Sequence, residues 1–149
     1  MLPHSCALEG YRVIPFPEIN HLAVLVCAIF LWLLGAAWYS PVLFARKWME
    51  LVGLTREPGK RDGLLLGMTA SFFGDLVMSF ILANIIVWAH ISSFTRGSVI
   101  GVLMWIGFIA APNLPQGLYE KRPFKLFAIN SGYWLVGLFV TGGILACWH

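Results

Sequence analysis

The sequence predicts an all-α fold, a four-helix transmembrane bundle with both termini outside and a short interfacial helix after the first span. Three observations predict it. Four apolar stretches reach the roughly 20 residues a helix needs to cross the hydrocarbon core. Their hydrophobicity is continuous rather than alternating, which argues against the period-2 pattern of a β-barrel. The positive charges sort to one side of the spans, as they do in membrane proteins. Composition agrees. The chain is 59% hydrophobic and 11% charged, whereas a soluble domain is about a quarter charged. That leaves too little polar surface to cover a soluble fold, and it excludes disorder, collagen and a disulfide scaffold. The 149 residues read as one membrane domain, 19–149, behind an extracytoplasmic tail, 1–18.

The first span runs from about Ile19 to Tyr39, and no charge falls between Leu22 and Ala45. It reads as a retained helix rather than a cleaved signal peptide. The apolar stretch continues past the small residues Gly35-Ala36-Ala37, and Glu9 and Glu18 offset Arg12 before it. Next comes a segment that is amphipathic as a helix. Phe44, Trp48, Leu51 and Val52 share one face, and Arg46, Lys47 and Glu50 take the other. This pattern suits a helix lying in the interface, ending near Thr55 before the Glu57-Pro58-Gly59 turn. The second span, about Leu64 to Ala89, holds a single charge, Asp75. The third, about Ser98 to Leu118, and the fourth, about Phe127 to Trp148, hold none. Pro112 and Pro115 flank Asn113 in the third span. Each removes a backbone donor, and the pair reads as the end of that helix. The alternative is a broken helix lining a site.

Orientation follows from the loops. Arg46, Lys47, Arg56, Lys60 and Arg61 lie between the first two spans, and Lys121, Arg122 and Lys125 between the last two. Only Arg12 and Arg96 lie opposite. This split predicts both termini outside, which in a Gram-negative bacterium is the periplasmic side of the inner membrane. The aromatic residues fit the same boundaries. Trp88 and Trp148 fall at the outer ends, and Tyr39, Trp48 and Tyr119 at the inner ends, where amphipathic rings prefer to lie. Trp32, Trp105 and Trp134 lie deeper and read as packing between helices.

Several motifs resemble a known family. Ile19 to Val26 opens the first helix, and Gly35 with Trp38-Tyr39-Ser40-Pro41 closes it, followed by Leu43-Phe44 and Trp48. Trp105-Ile106-Gly107-Phe108 lies in the third helix. Arg122-Pro123 and Phe127-Ala128-Ile129-Asn130-Ser131-Gly132-Tyr133 open the fourth, and Gly143-Ile144-Leu145 and Trp148 end it. Together they resemble the small, mainly bacterial membrane family catalogued as domain of unknown function 1761, over about Ile19 to Trp148. Trp-Tyr-Ser-Pro and Ile-Asn-Ser-Gly-Tyr are the more specific parts. The resemblance implies a four-helix integral membrane protein and carries over no activity, substrate or catalytic residue. Asp75 is not among its defining motif positions.

Asp75, Asn113 and Asn130 are the intramembrane polar candidates. Asp75 falls about 16 Å into the second span at roughly 1.5 Å per residue, near the midplane. An ionised carboxylate there costs roughly 2.5–3.5 kcal/mol even on a lenient scale, so it must face protein or water, or stay protonated. Candidate partners are Asn113, Asn130, Ser71, Ser79 and the deep tryptophan N–H groups. Asp75 reads either as a proton- or cation-responsive group or as a neutral acid bonded between helices.

Small residues also form faces. Gly67, Ala70, Ser71 and Gly74 share a sector of the second span with Asp75, Met78 and Ser79, and Gly63 and Gly67 form a G-x-x-x-G pair. Gly97 and Gly101 repeat that spacing in the third span, and Asn130, Gly137 and Thr141 share a face of the fourth. Such residues let helix backbones approach closely in lipid, within one chain or between copies in a homo-oligomer.

No catalytic, metal or cofactor motif is present. His4, His21, His90 and His149 all fall on the outer side without metal-ligand spacing. Cys6, Cys27 and Cys147 form no C-x-x-C, and only Cys6 with Cys147 is a candidate pair. Phosphate-binding loops and nucleophile elbows are missing, and topology explains the basic residues without a nucleic-acid partner. The expectation is therefore a non-enzymatic structural, accessory or assembly component that contacts membrane lipid and self-associates. The alternative is a minimal transporter or channel for a small solute or ion, working through Asp75.

Overall fold

A computed structural model describes residues 18–53 and 63–148, which are helical with no strand among them. His4, Cys6, Arg12, His149, Thr55, the Glu57-Pro58-Gly59 turn and the basic residues Arg56, Lys60 and Arg61 lie outside the described residues, as does any Cys6–Cys147 pairing. Four helical stretches are long and apolar enough to cross a membrane: His21–Trp38, Leu65–Trp88, Phe94–Tyr119 and Phe124–Cys147.

Helix α1 (His21–Trp38) starts where Asn20 can cap it. The Asn20 side-chain oxygen accepts from the Leu22 and Ala23 backbone N–H groups at 3.0 and 3.1 Å, satisfying donors that the first turn leaves open. Helix α2 (Ala45–Val52) is the expected interfacial helix, and it stops earlier than Thr55. Gly53 ends it in a left-handed conformation, φ 75°, which glycine adopts without a Cβ clash. A Lys47–Glu50 ion pair lies on its exposed face at 2.8 Å. Helix α3 (Leu64–Trp88) carries Asp75 and is followed closely by α4 (Phe94–Trp105), capped by the Ser93 hydroxyl.

The proline pair does not end the third span. After α4 comes a π-helical turn, Ile106–Ala110, and then α5 (Ala111–Tyr119), which contains both Pro112 and Pro115. In the turn the Ala111 N–H donates to Ile106 O, five residues back rather than four. Pro112 then falls in the first turn of α5, where a missing N–H costs least. Asn113 Nδ2 adds a bond to Ile109 O at 2.7 Å. The irregularity expected at Asn113 is thus taken up one turn earlier, and the helix runs on to Tyr119. Helix α6 (Phe124–Cys147) starts after Pro123.

The bundle packs unevenly along its length. Its buried core gathers Ala23, Val24 and Cys27 of α1, Leu82, Ala83 and Ile86 of α3, and Leu138, Leu145 and Ala146 of α6. All of these lie toward the end opposite the basic residues. There α4 meets α6 backbone to backbone. A Cβ on Gly97 would strike Gly142 O and Ala146 Cβ, and one on Gly101 would strike Leu138 O. A Cβ on Gly137 would lie 2.6 Å from Leu31 Cδ2 of α1. Lipid gives helices no hydrophobic reason to associate, so close van der Waals contact must hold them.

Toward the basic end the packing opens. None of the residues from Ile106 to Tyr119 is buried, and Phe108 and Leu118 are 72% and 71% exposed. The first turns of α3 are also uncovered. Gly63, Gly67, Ser71 and Gly74 are exposed, and a Cβ on any of these three glycines would meet nothing within 4 Å. The small-residue positions therefore divide. Gly97, Gly101 and Gly137 face neighbouring helices of the same chain, and the set on α3 faces none.

Candidate functional site

The two motifs at opposite ends of the chain meet in one cluster at the basic end. Trp38, at the last turn of α1, rests against α6. Its indole N–H donates to Ile129 O at 3.0 Å, and a Cβ on Gly132 would come 3.4 Å from its ring. Gly132 thus leaves the surface against which this indole lies. Next to it the Tyr39 hydroxyl donates to Asn130 Oδ1 at 3.1 Å, and the Trp48 indole N–H donates to the same oxygen at 3.1 Å. The Tyr39 and Trp48 rings meet edge to face at 5.7 Å. Ser40 and Pro41 supply the turn that lets α2 swing back to present Trp48. Tight bonds from Leu43 N to Ser40 O and from Ala45 N to Ser40 O close it.

These contacts fix Asn130. An indole N–H can only donate, so the atom it meets must be the amide oxygen. With Oδ1 shared by two donors, the amide NH2 group points away from both aromatic rings. One turn on, Trp105 Nε1 donates to Ser131 O at 2.8 Å and Ser131 Oγ at 3.0 Å, tying the end of α4 to α6. Past that tie the third span turns through its π segment and diverges from α6.

The divergence leaves a cleft of about 500 Å³ between α5 and the start of α6, floored by Tyr39 and Trp48. Its size is that of small-molecule pockets, about 300–1,000 Å³. Asn113 and Asn130 both line it, together with Ile109, Leu114, Phe127 and Trp134. At its mouth Arg122 pairs with Glu120, and Gln116 Nε2 donates to Glu120 Oε1 at 2.9 Å. Its wall is therefore part apolar and aromatic and part polar, with the Asn113 and Asn130 amides each fixed by their own bonds and an Arg122–Glu120 ion pair at the rim.

Asp75 lies elsewhere. It is 2% exposed, is not among the cleft residues, and sits beside the Tyr133 hydroxyl of α6. None of the partners expected from sequence accounts for this placement. Tyr133 donates to Leu31 O at 3.1 Å, and its ring packs over Gly35, where a Cβ would lie 3.4 Å from the hydroxyl. Asp75 Oδ2, Ser79 Oγ and Ser98 Oγ are buried without a hydrogen-bond partner. Tyr133 also touches the Tyr39 ring, 6.1 Å between centroids, so one tyrosine separates Asp75 from the Asn130 cluster.

Sequence reasoning named Asn130, Tyr39 and Tyr133 without joining them. The Trp105 N–H, one of the deep tryptophan donors expected as a partner for Asp75, goes to Ser131 instead, and Trp48 and Ser131 were not among the expected polar partners. The signal was present in the topology, which put Trp-Tyr-Ser-Pro and Ile-Asn-Ser-Gly-Tyr at the same end of adjacent helices. Trp32, read as packing between helices, does so by donating to Met68 O of α3 at 3.0 Å. Among the described residues no three His, Cys, Asp or Glu side chains gather as metal ligands.

Fold and site together define a small multi-pass α-helical membrane protein, closed at one end and cleft at the other. Residues 22–146 match the family described as Protein of unknown function (DUF1761), and the chain belongs to that family. Comparison with curated proteins and with solved structures gave no match.

Proposed function

We propose that this protein is a non-enzymatic structural or accessory component of the bacterial inner membrane that self-associates, with both termini outside. The observation that carries the reading is how its intramembrane polar groups are used. Trp38, Tyr39, Trp48, Trp105 and Tyr133 all donate to a neighbouring helix. These bonds tie α1, α2 and α4 to α6, as a scaffold requires. Asp75 fits the same pattern. Read as a neutral acid, its carboxyl group lies between helices beside the Tyr133 hydroxyl, whose own hydrogen goes to Leu31 O. The uncovered face of α3, with Gly67, Ser71 and Gly74, supports self-association, because a second helix can approach it closely.

The transporter reading needs Asp75 in contact with a solute path, and its burial away from the cleft counts against that. One experiment separates the two. The full chain is reconstituted in proteoliposomes, with and without Asp75→Asn, and pH-dependent ion flux and chemical cross-linking are read together. A scaffold gives cross-linked dimers and no flux difference. Flux that Asp75→Asn abolishes while cross-linking persists would overturn the scaffold. Gly74→Leu adds a direct check. Gly74 is exposed and a Cβ there meets nothing within 4 Å, so the added bulk should block dimer formation and leave the folded chain intact.

A further inference from the structure

We propose that the cleft between α5 and α6 holds one phospholipid from the leaflet at the basic end, with an acyl chain along the aromatic wall and an ester or phosphate oxygen accepting from Asn130. Four observations carry this. The two bonds to Asn130 Oδ1 leave its NH2 group without a partner among the described residues, and Asn130 lines the cleft, so an occupant that brings an acceptor meets an open donor. Ile109, Leu114, Phe127 and Trp134 form a wall suited to hydrocarbon. The cleft also opens sideways, since Leu114 and Phe124 on its lips are 41% and 68% exposed. Finally, Tyr39 and Trp48 mark the depth at which amphipathic rings meet headgroups, and lipid ester and phosphate oxygens lie at that depth. Lys121 and Lys125, beside the lining residues Arg122 and Phe124 in the chain, add favourable charge near a phosphate. The site does not depend on whether the chain self-associates.

The test uses the purified full chain in mild detergent, titrated with bromine-labelled phosphatidylglycerol and read by quenching of tryptophan fluorescence. Trp48 and Trp134 line the cleft, so occupancy brings bromine close to both. Quenching should saturate at one lipid per chain. Asn130→Asp keeps the acceptor for Tyr39 and Trp48 and removes the donor. Gly117→Leu adds bulk at a cleft glycine whose Cβ would meet no atom within 4 Å. Both should weaken binding by about ten-fold. Gly107→Leu, equally unhindered but outside the cleft, should bind as the parent does. Circular dichroism and elution volume check that each variant folds, and Gly117→Leu decides alone if Asn130→Asp does not. Quenching that never saturates, or that Gly117→Leu leaves unchanged, would overturn the proposal. So would a chain that does not saturate with lipid and whose dimer is lost in Gly117→Leu, because a second copy would then fill the cleft.

Discussion

Gly101→Ala adds a single methyl group where two helices touch through their backbones. Its Cβ would lie 2.7 Å from Leu138 C and 3.3 Å from Phe139 N, with Leu138 O closer still. The obstacle is main chain in the middle of α6, so no rotamer change relieves it. Helices α4 and α6 must separate by roughly 1 Å, and a gap of about 0.5–1 Å forfeits about a quarter to a half of each contact's dispersion energy. Overpacking of this kind costs about 1–3 kcal/mol. Gly67→Ala makes the opposite case. Its Cβ meets nothing within 4 Å, so the protomer gains helix propensity, about 0.5–1 kcal/mol. Gly97 shares the α4–α6 seam, so the double variant Gly97→Ala with Gly101→Ala should cost less than the two singles added. Once one methyl has parted the helices, the other finds room. Unfolding of the monomeric chain in mixed micelles of mild detergent and dodecyl sulfate, followed by circular dichroism, gives the comparison. Equal stability of Gly101→Ala and the parent, or equal loss in Gly67→Ala and Gly101→Ala, would refute the backbone-contact reasoning.

Asn130→Leu strands the Tyr39 hydroxyl and the Trp48 indole N–H, and should cost about 1–3 kcal/mol while freeing Trp48, seen as a red shift of its emission. Asn20→Ala removes the α1 cap and should lower stability by about 1 kcal/mol in the same unfolding assay. Asp75→Asn puts an uncharged amide of the same size beside Tyr133 and should leave stability within about 1 kcal/mol of the parent. Asp75→Leu should differ from it in the tyrosine near-ultraviolet signal, because it removes the polar group beside the Tyr133 hydroxyl. Ala replacing Gly53, held at φ 75°, should cost about 1–2 kcal/mol and shorten α2, detectable as faster amide exchange at its last turn.

The four spans are legible in the chain because each is a local property, a long run of apolar residues. The glycine spacing is legible too, but its use is not: Gly97 and Gly101 meet α6, whereas a Cβ on Gly63 or Gly67, spaced identically, would meet nothing within 4 Å. Nor is the location of the helix irregularity legible. Proline marks where a donor is missing, but the strain is relieved wherever the backbone can gain a residue, and that place is Ile106–Ala110. Asp75 shows a second limit. Listing polar residues in the spans gives candidates by type, yet its neighbour Tyr133 is set by the mutual rotation of α3 and α6, a property of the packed bundle. The family motifs read as separate signatures until Asn130 is seen receiving both Tyr39 and Trp48.

The π-helical turn amounts to one extra residue in the third span. An α-helix advances about 100° per residue, so everything after the turn is rotated by that angle relative to the face that α4 offers to α6. Asn113 and Gln116 owe their place on the cleft to it. Removing one residue between Trp105 and Pro112 would restore the regular register, carry that face away from Asn130, and leave the glycine seam untouched. Chain length in this short stretch is thus a marker that can be read in a relative without a structure. A relative one residue shorter there should retain the bundle and lack the cleft.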